Sequence, residues 1–239
     1  MNIPDGIPKK GLAVSVVIPV MNGEKYLGES VRSLLAQTRP VDEIIVVDDG
    51  SVDGTPVVVQ EFGEKVRYIY QSNAGVSAAR NRGVAASAGD FLGFLDHDDL
   101  WQPDKLEKQL AAFEFDPEMD MVFGHAEQFL SPELSREYRA GIKLPPNPLP
   151  AYLASAMLVR KSAFLRVGLF AEDVAIGECI EWYGRAVDHG LKARLLPEVV
   201  YRRRIHQTNT MICQKNQQIC YARILKATLD RRRKKPVTS

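Results

Sequence analysis

The sequence contains no apolar stretch approaching the roughly 20 residues that cross a bilayer, so a membrane-spanning chain is not expected. Cysteine is scarce. Cys179, Cys213 and Cys220 are odd in number and lack zinc-type spacing, which argues against a disulfide framework and a structural zinc and points to a reducing, cytoplasmic setting. Neither sign of charge dominates: 31 basic residues against 30 acidic ones leave a formal net charge of +1, so no global field for nucleic acid or membrane is expected. The opening residues, Met1 to Gly11, are polar and rich in Pro and Gly, unlike a secretory leader. Internal repeats are missing as well. What is there is a chain of 239 residues, enough for one large α/β domain or two small ones with a substantial core.

Strand and helix signals alternate through the first half. Val14 to Ile18 reads as a first strand stopped by Pro19, and a helix from about Glu24 sets Tyr26, Leu27, Val31, Leu34 and Leu35 on one face. Glu43 to Val47 is a second strand, and Thr55-Pro56 opens a second helix with a cap and a first-turn proline. Val66 to Tyr70 alternates like an edge strand, Val76 to Ser87 is a helix of small residues, and Phe91 to Leu95 is a buried strand. This order predicts an α/β fold with a Rossmann-like, mostly parallel sheet flanked by helices. Further on, Leu106, Leu110 and Phe113 continue a helix after Pro103, and Met119 to His125 is a strand. The proline-rich Leu144–Pro150 stretch is expected to be an irregular loop. A short apolar segment (Met157–Val159), helices near Lys161–Val167 and Glu178–His189, a strand at Val199–Tyr201 and a last helix over Gln214–Arg233 complete the reading.

Carboxylates gather at two strand exits. Asp48 and Asp49 follow Val46-Val47 and precede Gly50 and Gly54; Asp96-His97-Asp98-Asp99 follows Phe91 to Leu95. Open α/β sheets bind ligands at the carboxyl ends of their strands. Crowded carboxylates repel one another unless a cation neutralises them, and Mg²⁺ or Mn²⁺ suits oxygen ligands and brings phosphates along. At the first exit a carboxylate can also accept a base N–H or hold a ribose hydroxyl. A plainer reading makes Asp53 and Thr55 caps of the helix at Pro56, and Asp99 or Asp104 a cap of the next one.

Four runs occur in order: Val16-Val17-Ile18-Pro19-Val20-Met21-Asn22-Gly23-Glu24, Val46-Val47-Asp48-Asp49-Gly50-Ser51, Asn73-Ala74-Gly75-Val76-Ser77-Ala78-Ala79-Arg80-Asn81-Arg82-Gly83, and Leu95-Asp96-His97-Asp98-Asp99. Together they resemble the inverting family 2 glycosyltransferases of the GT-A fold, strongly over about residues 14–106 and more loosely over 150–210. The resemblance implies a GT-A domain over 12–212, split into a nucleotide-sugar-binding half at 12–106 and an acceptor-side half at 107–212. A C-terminal helix and basic tail at 213–239 follow. It places Pro19, Val20, Met21, Asn22 and Glu24 along the nucleotide pocket, and has Asp48 or Asp49 contact the uracil or ribose of a UDP-sugar. Asn73, Arg80 and Asn81 border the donor. Asp96 and Asp98 form the Asp-x-Asp element, with Asp98 the direct ligand of Mn²⁺ or Mg²⁺ and Asp96 nearer the ribose or sugar. His97 is counted with these donor-side residues, although the plain reading has this middle position point elsewhere; Trp101 and Pro103 pack the loop.

The resemblance extends to Tyr201–Asn209, a segment that closes over the donor diphosphate in the family. Side chains alternate along a strand, so Arg202 and Arg204 share a face, and either that pair or Arg203 alone is turned to the site. Arg204 is counted as a donor contact. His206 is a metal or phosphate contact, with an ordinary surface histidine as the alternative.

The chain departs from the family at the base. Relatives carry Glu-Asp ahead of a helix, whereas here Gly177-Glu178-Cys179-Ile180-Glu181 sets Cys179 in the Asp position. Glu181 is the favoured carboxylate and Glu178 the second choice, the latter also fitting a helix N-terminus enriched in acids. Cys179 is read as a small buried residue. The expected function is a metal-dependent inverting transfer of sugar from a nucleoside-diphosphate donor, with a non-catalytic or weakly active sugar-nucleotide binder as the alternative. A nucleotidyltransferase lacks support, because Pro19 to Glu24 is not a Gly-rich, Lys-bearing loop. The processive Gln-x-x-Arg-Trp signature is absent, which favours transfer of one or a few sugars. The acceptor class and oligomeric state stay open. The Arg231–Lys235 cluster reads as a solvated helix end, with weak peripheral contact to anionic lipid as the second reading.

Overall fold

The computed structural model describes residues 12–174 and 176–209. The last helix, Cys213, Cys220 and the basic tail lie outside the described residues. In chain order the elements are β1 (Val14–Val20), α1 (Leu27–Leu35), β2 (Glu43–Asp48), α2 (Thr55–Gln60), β3 (Arg67–Tyr70), α3 (Val76–Ala86), β4 (Phe91–Phe94), β5 (Leu100–Trp101), α4 (Lys105–Phe115), β6 (Met121–Leu130), α5 (Arg136–Ala140), β7 (Leu149–Ala151), β8 (Leu158–Arg160), α6 (Lys161–Val167), α7 (Glu178–Asp188) and β9 (Ala193–Ile205).

The strands form one sheet in the order β3-β2-β1-β4-β8-β6-β9-β5, with β7 paired to β6. The first half is parallel throughout, as β1 pairs with both β2 and β4, and β2 with β3. Every residue of β1 is buried, the mark of a strand covered on both faces. The edge strand β3, by contrast, is largely exposed. Antiparallel pairing enters at β8, which joins the two halves by lying between β4 and β6. The expected Rossmann-like α/β architecture is met.

Several boundaries differ from those read off the sequence, each for a local reason. β1 does not stop at Pro19. The Asp49 N–H donates to the Val20 carbonyl and the Leu95 N–H to that of Val17, so Val17 and Pro19 turn toward β4, whose last residue is Phe94. The missing proline N–H therefore falls where the ladder has ended. Leu149 and Pro150 are not loop; they belong to β7, opposite Ala126 and His125, at an edge that tolerates proline. Leu35 is exposed although Leu27, Val31 and Leu34 of α1 are buried. β9 runs over 13 residues instead of the three expected. Its charges are compatible with a strand because Arg202 and Arg204 both lie over the Phe129 ring, and Glu127 and Glu29 pair with them.

Packing holds the future site in place. Helix α3 lies so close to β1 that a Cβ on Gly83 would stand 2.3 Å from Cγ1 of Val17, so only glycine fits. The Trp182 ring of α7 stacks on Phe164 of α6 at 4.7 Å between centroids, and its Nε1 donates to the Gly168 carbonyl at 2.8 Å. These contacts fix the N-terminal turn of α7.

Lys105 is fully buried, its Nζ donating to Oε1 of Gln109 (2.7 Å) and the Ala156 carbonyl (3.0 Å) and standing 4.5 Å from the Trp101 ring centroid. Burial pushes its amine well below the ordinary 10.5. Between the lowered value and 10.5 the unfolded chain binds more protons than the folded one, so stability attributable to Lys105 rises with pH across that window. Urea unfolding of the wild type and Lys105→Met is expected to show the wild type gaining on the variant as pH increases. A pH-independent difference between the two would count against the assignment.

Candidate active site

A cavity of about 440 Å³ opens at the carboxyl ends of β1 and β4, where strand order reverses direction around β1. Its wall comes from five places: Pro19, Val20 and Met21 after β1; Asp49, Asn73 and the start of α3 through Arg80; Asp96 to Asp99; Leu153 to Ser155; and Ile176 to Cys179 with Tyr201, Arg203 and Asn209.

At the first exit, Asp49 accepts hydrogen bonds from the backbone N–H groups of Ala74 and Gly75 and from Gln71 Nε2, each at 2.8 Å. The carboxylate thus anchors the entry to α3, where Gly75 takes a φ of 94°. Asp48 is fully buried and outside the cavity wall. Its oxygens accept from the Ser51 N–H (2.8 Å) and the Tyr68 hydroxyl (2.6 Å). Burial and the adjacent Asp48 push the Tyr68 phenol up, which keeps it a donor. Asn22 and Glu24 are also absent from the wall: Asn22 accepts from the Val52 N–H and Glu24 from the Gly54 N–H, so both shape the loop after β2. Asn81 instead fastens α3 to Phe170, accepting from its N–H and donating to its carbonyl.

The second exit is organised by Arg80 and His206. Arg80, 3% exposed, donates to Asp96 at 2.5 Å and to Glu178. Burial works against its charge, but the two carboxylates outweigh burial and hold the guanidinium above its ordinary value. Asp98 faces His206, Oδ2 to Nε2 at 2.9 Å, with Nδ2 of Asn209 at 3.3 Å. Burial opposes ionisation of Asp98; the His206 hydrogen bond and the charge of His97 reverse this and keep its carboxyl below the usual range. Asp99 is a framework residue: buried, accepting the Arg204 N–H at 2.9 Å, and pushed well above the ordinary carboxyl range by burial and then by Asp98 and Asp96. Arg204 itself is buried behind the wall, bonded to Glu29 and to the Asp98 carbonyl, while Arg203 lines the cavity.

The trio Asp96, Asp98 and His206 is not assembled as a cage. Among the described residues no three His, Cys, Asp or Glu side chains form such a group. Asp98 and His206 stand as a pair, steadied by the Tyr26 ring 4.7 Å from the imidazole, and Asp96 is turned to Arg80.

The carboxylates of α7 part company. Glu178 and Cys179 line the cavity, whereas Glu181 is absent from its wall and is held by Nε of Arg185 at 3.1 and 2.9 Å. Gly177, in a left-handed conformation at φ 85°, swings the first turn of α7 to the cavity. Burial, then the charge of Glu178, pushes the Cys179 thiol up, so it is no nucleophile. One wall segment, Leu153–Ser155, carried no sequence signal as a site, whereas Asn209 lies at the end of the Tyr201–Asn209 segment expected to close over the donor. Ser155 matters through its Oγ, which accepts the Asp96 N–H at 3.2 Å, and its carbonyl, which accepts from Trp101 Nε1 at 3.1 Å.

The sequence pattern described as "Glycosyl transferase family 2" matches residues 15–168. The chain belongs to that family. An uncharacterised glycosyltransferase of Rickettsia typhi is 34% identical over 173 residues, covering 67% of this chain and 54% of the relative. One from Nostoc sp. is 39% identical over 107 residues, 43% of this chain and 33% of that one. The chain therefore spans about half the length, or less, of these curated relatives. Among solved structures, Staphylococcus aureus TarS 1–349 in complex with UDP-GlcNAc superposes with a TM-score of 0.70 at 20% identity, covering 91% of this chain and 65% of that one. The mannosyltransferase PcManGT of Pyrobaculum calidifontis, in complex with GDP-Man and Mn²⁺, gives 0.69 at 20% identity, with 97% and 67% covered. These likenesses establish the GT-A-like fold of this family 2 chain. No helix among the described residues is long and apolar enough to cross a membrane.

Proposed function

We propose that this chain moves a sugar from a nucleoside-diphosphate donor, a UDP-sugar, to an acceptor hydroxyl by a single inverting displacement. One observation carries the reading: the cavity at the strand ends holds both the Asp98 carboxylate backed by His206 and, on another segment, the first turn of α7 with Glu178. Glu178 is the general base, positioned by Arg80, and it replaces Glu181 in that role. It takes the proton of the attacking hydroxyl. Arg203 on the wall offers charge-assisted hydrogen bonds to the departing diphosphate.

Asp98 and His206 fit a divalent ion, Mn²⁺ or Mg²⁺, because a carboxylate–imidazole pair suffices where diphosphate and water complete the sphere. When bound, such an ion neutralises charge on the leaving group. Support for the donor class comes from the structural neighbours that carry UDP-GlcNAc and GDP-Man. A cytoplasmic setting belongs to the same reading and is supported by the odd number and irregular spacing of the three cysteines in the sequence.

Thermal unfolding with UDP, with and without Mn²⁺, tests it. Ligand at about 100 times its Kd raises apparent stability by about 2.7 kcal/mol. The Mn²⁺-dependent part of that gain is expected to vanish in Asp98→Asn; its survival there would overturn the ion site. Slow release of free sugar from the donor by the wild-type protein separates a transferase from a mere binder.

A further inference from the structure

Resting on the transferase reading, we propose that Tyr152 and Tyr183 form a stacking platform for a pyranose ring of the acceptor, so that the acceptor is itself a glycoside. The two rings stack, 5.1 Å between centroids at 29°, and both lean on the buried ring of Phe123, at 5.2 and 5.4 Å. The pair stands beside the cavity, next in the chain or one helical turn on from residues of its wall. Tyr152 directly precedes Leu153, and Tyr183 lies four residues after Cys179, on the same face of α7; Leu153 and Cys179 both line the cavity. β6 carries Phe123 one residue past Val122, which pairs with Leu158 at the cavity end of β8, so the platform stands at the level of the cavity.

The chemistry selects a sugar over a lipid chain. Tyr152 is 38% exposed and offers ring surface to solvent. Among the described residues neither tyrosine hydroxyl has a hydrogen-bond partner, so two polar groups ring the flat apolar surface. A pyranose has the same character: an apolar C–H face rimmed by hydroxyls. An aliphatic chain would leave both phenolic groups unused. The platform is also on the Glu178 side of the cavity, reached through α7, whereas Asp49 and Asn73 bound the other end through β2 and α3. A ring seated on the tyrosines brings its hydroxyls toward the base.

Saturation-transfer NMR on the full chain with UDP or GDP and diamagnetic Mg²⁺ tests the platform, using methyl β-glucopyranoside, methyl β-galactopyranoside and methyl N-acetyl-β-glucosaminide as probes and farnesyl phosphate as the lipid comparison. At least one glycoside is expected to receive saturation on its ring C–H protons. Tyr152→Ala and Tyr183→Ala should each weaken that glycoside about tenfold, Tyr152→Phe and Tyr183→Phe should restore most of the loss, and the thermal shift with nucleotide should persist in all four. Equal glycoside binding in the alanine variants overturns the platform. So does binding of farnesyl phosphate alone, or an intact nucleotide shift with no glycoside signal. Loss of the nucleotide shift in the wild type overturns the transferase reading, and the platform with it.

Discussion

Glu178→Gln is expected to transfer sugar about 10²–10⁴-fold more slowly than wild type while binding donor with near-normal affinity, because a positioned general base contributes a factor of that size. The amide keeps the shape of the side chain and still accepts from Arg80, which retains Asp96 as its second partner. What the substitution removes is the capacity to take a proton. Glu181→Gln provides the contrast. Its carboxylate is engaged by Arg185, off the cavity wall, so the variant should lose stability and keep kcat within a few-fold. Steady-state rates with donor saturating, together with donor affinity by calorimetry, decide between the two. A slow Glu181→Gln beside a normal Glu178→Gln would reverse the assignment. Cys179 offers no rescue at neutral pH, since burial, the main cause that pushes its thiol up, is unchanged when Glu178 becomes an amide.

How far the site could be read before the fold was known depends on the range of the interactions involved. Asp96 and Asp98 were legible because a short apolar strand ending in carboxylates carries its own meaning at the end of a parallel sheet. Asp48 and Asp49 looked alike in sequence, yet only Asp49 reaches the cavity. Alternation along β2 predicts opposite faces for the two but not which faces the ligand, and Tyr68 of β3 claims Asp48. The same ambiguity applied to Arg202-Arg203-Arg204. Their alternation was visible, whereas the phase was set by Glu29, 175 positions away, and by Phe129 on β6. Glu178 and Glu181 are three residues apart on one helix. Which of them faces the cavity follows from the φ of Gly177 and the stacking of Trp182 on Phe164, neither of which is a local signal. The length of β9 was hidden for a related reason: the apolar signal covers only Val199 to Tyr201, and pairing with β6 carries the strand on through the arginines.

Arg80→Met is expected to be the most destabilising single change around the cavity. Arg80 bridges Asp96 and Glu178 from a buried position, with Glu178 only 13% exposed at its side chain. Removing one member of a buried ion pair leaves the other charge without compensation, a loss of about 3–5 kcal/mol. Asp96, 43% exposed at its side chain, recovers solvation from water and draws the expected figure toward the lower end. Arg80→Lys retains charge but has a single ammonium in place of a planar fork, so it can serve one carboxylate well and not both. It should fall between wild type and Arg80→Met in urea unfolding. The double variant Arg80→Met with Glu178→Leu removes the stranded charge along with its partner, and should recover part of the loss while staying inactive. A value for Arg80→Met within about 0.5 kcal/mol of wild type, the range of ordinary surface substitutions, would mean that the fork contributes nothing to the fold. Its only role would then be to hold Glu178 toward the acceptor, and the cost of removing it would show in kcat alone.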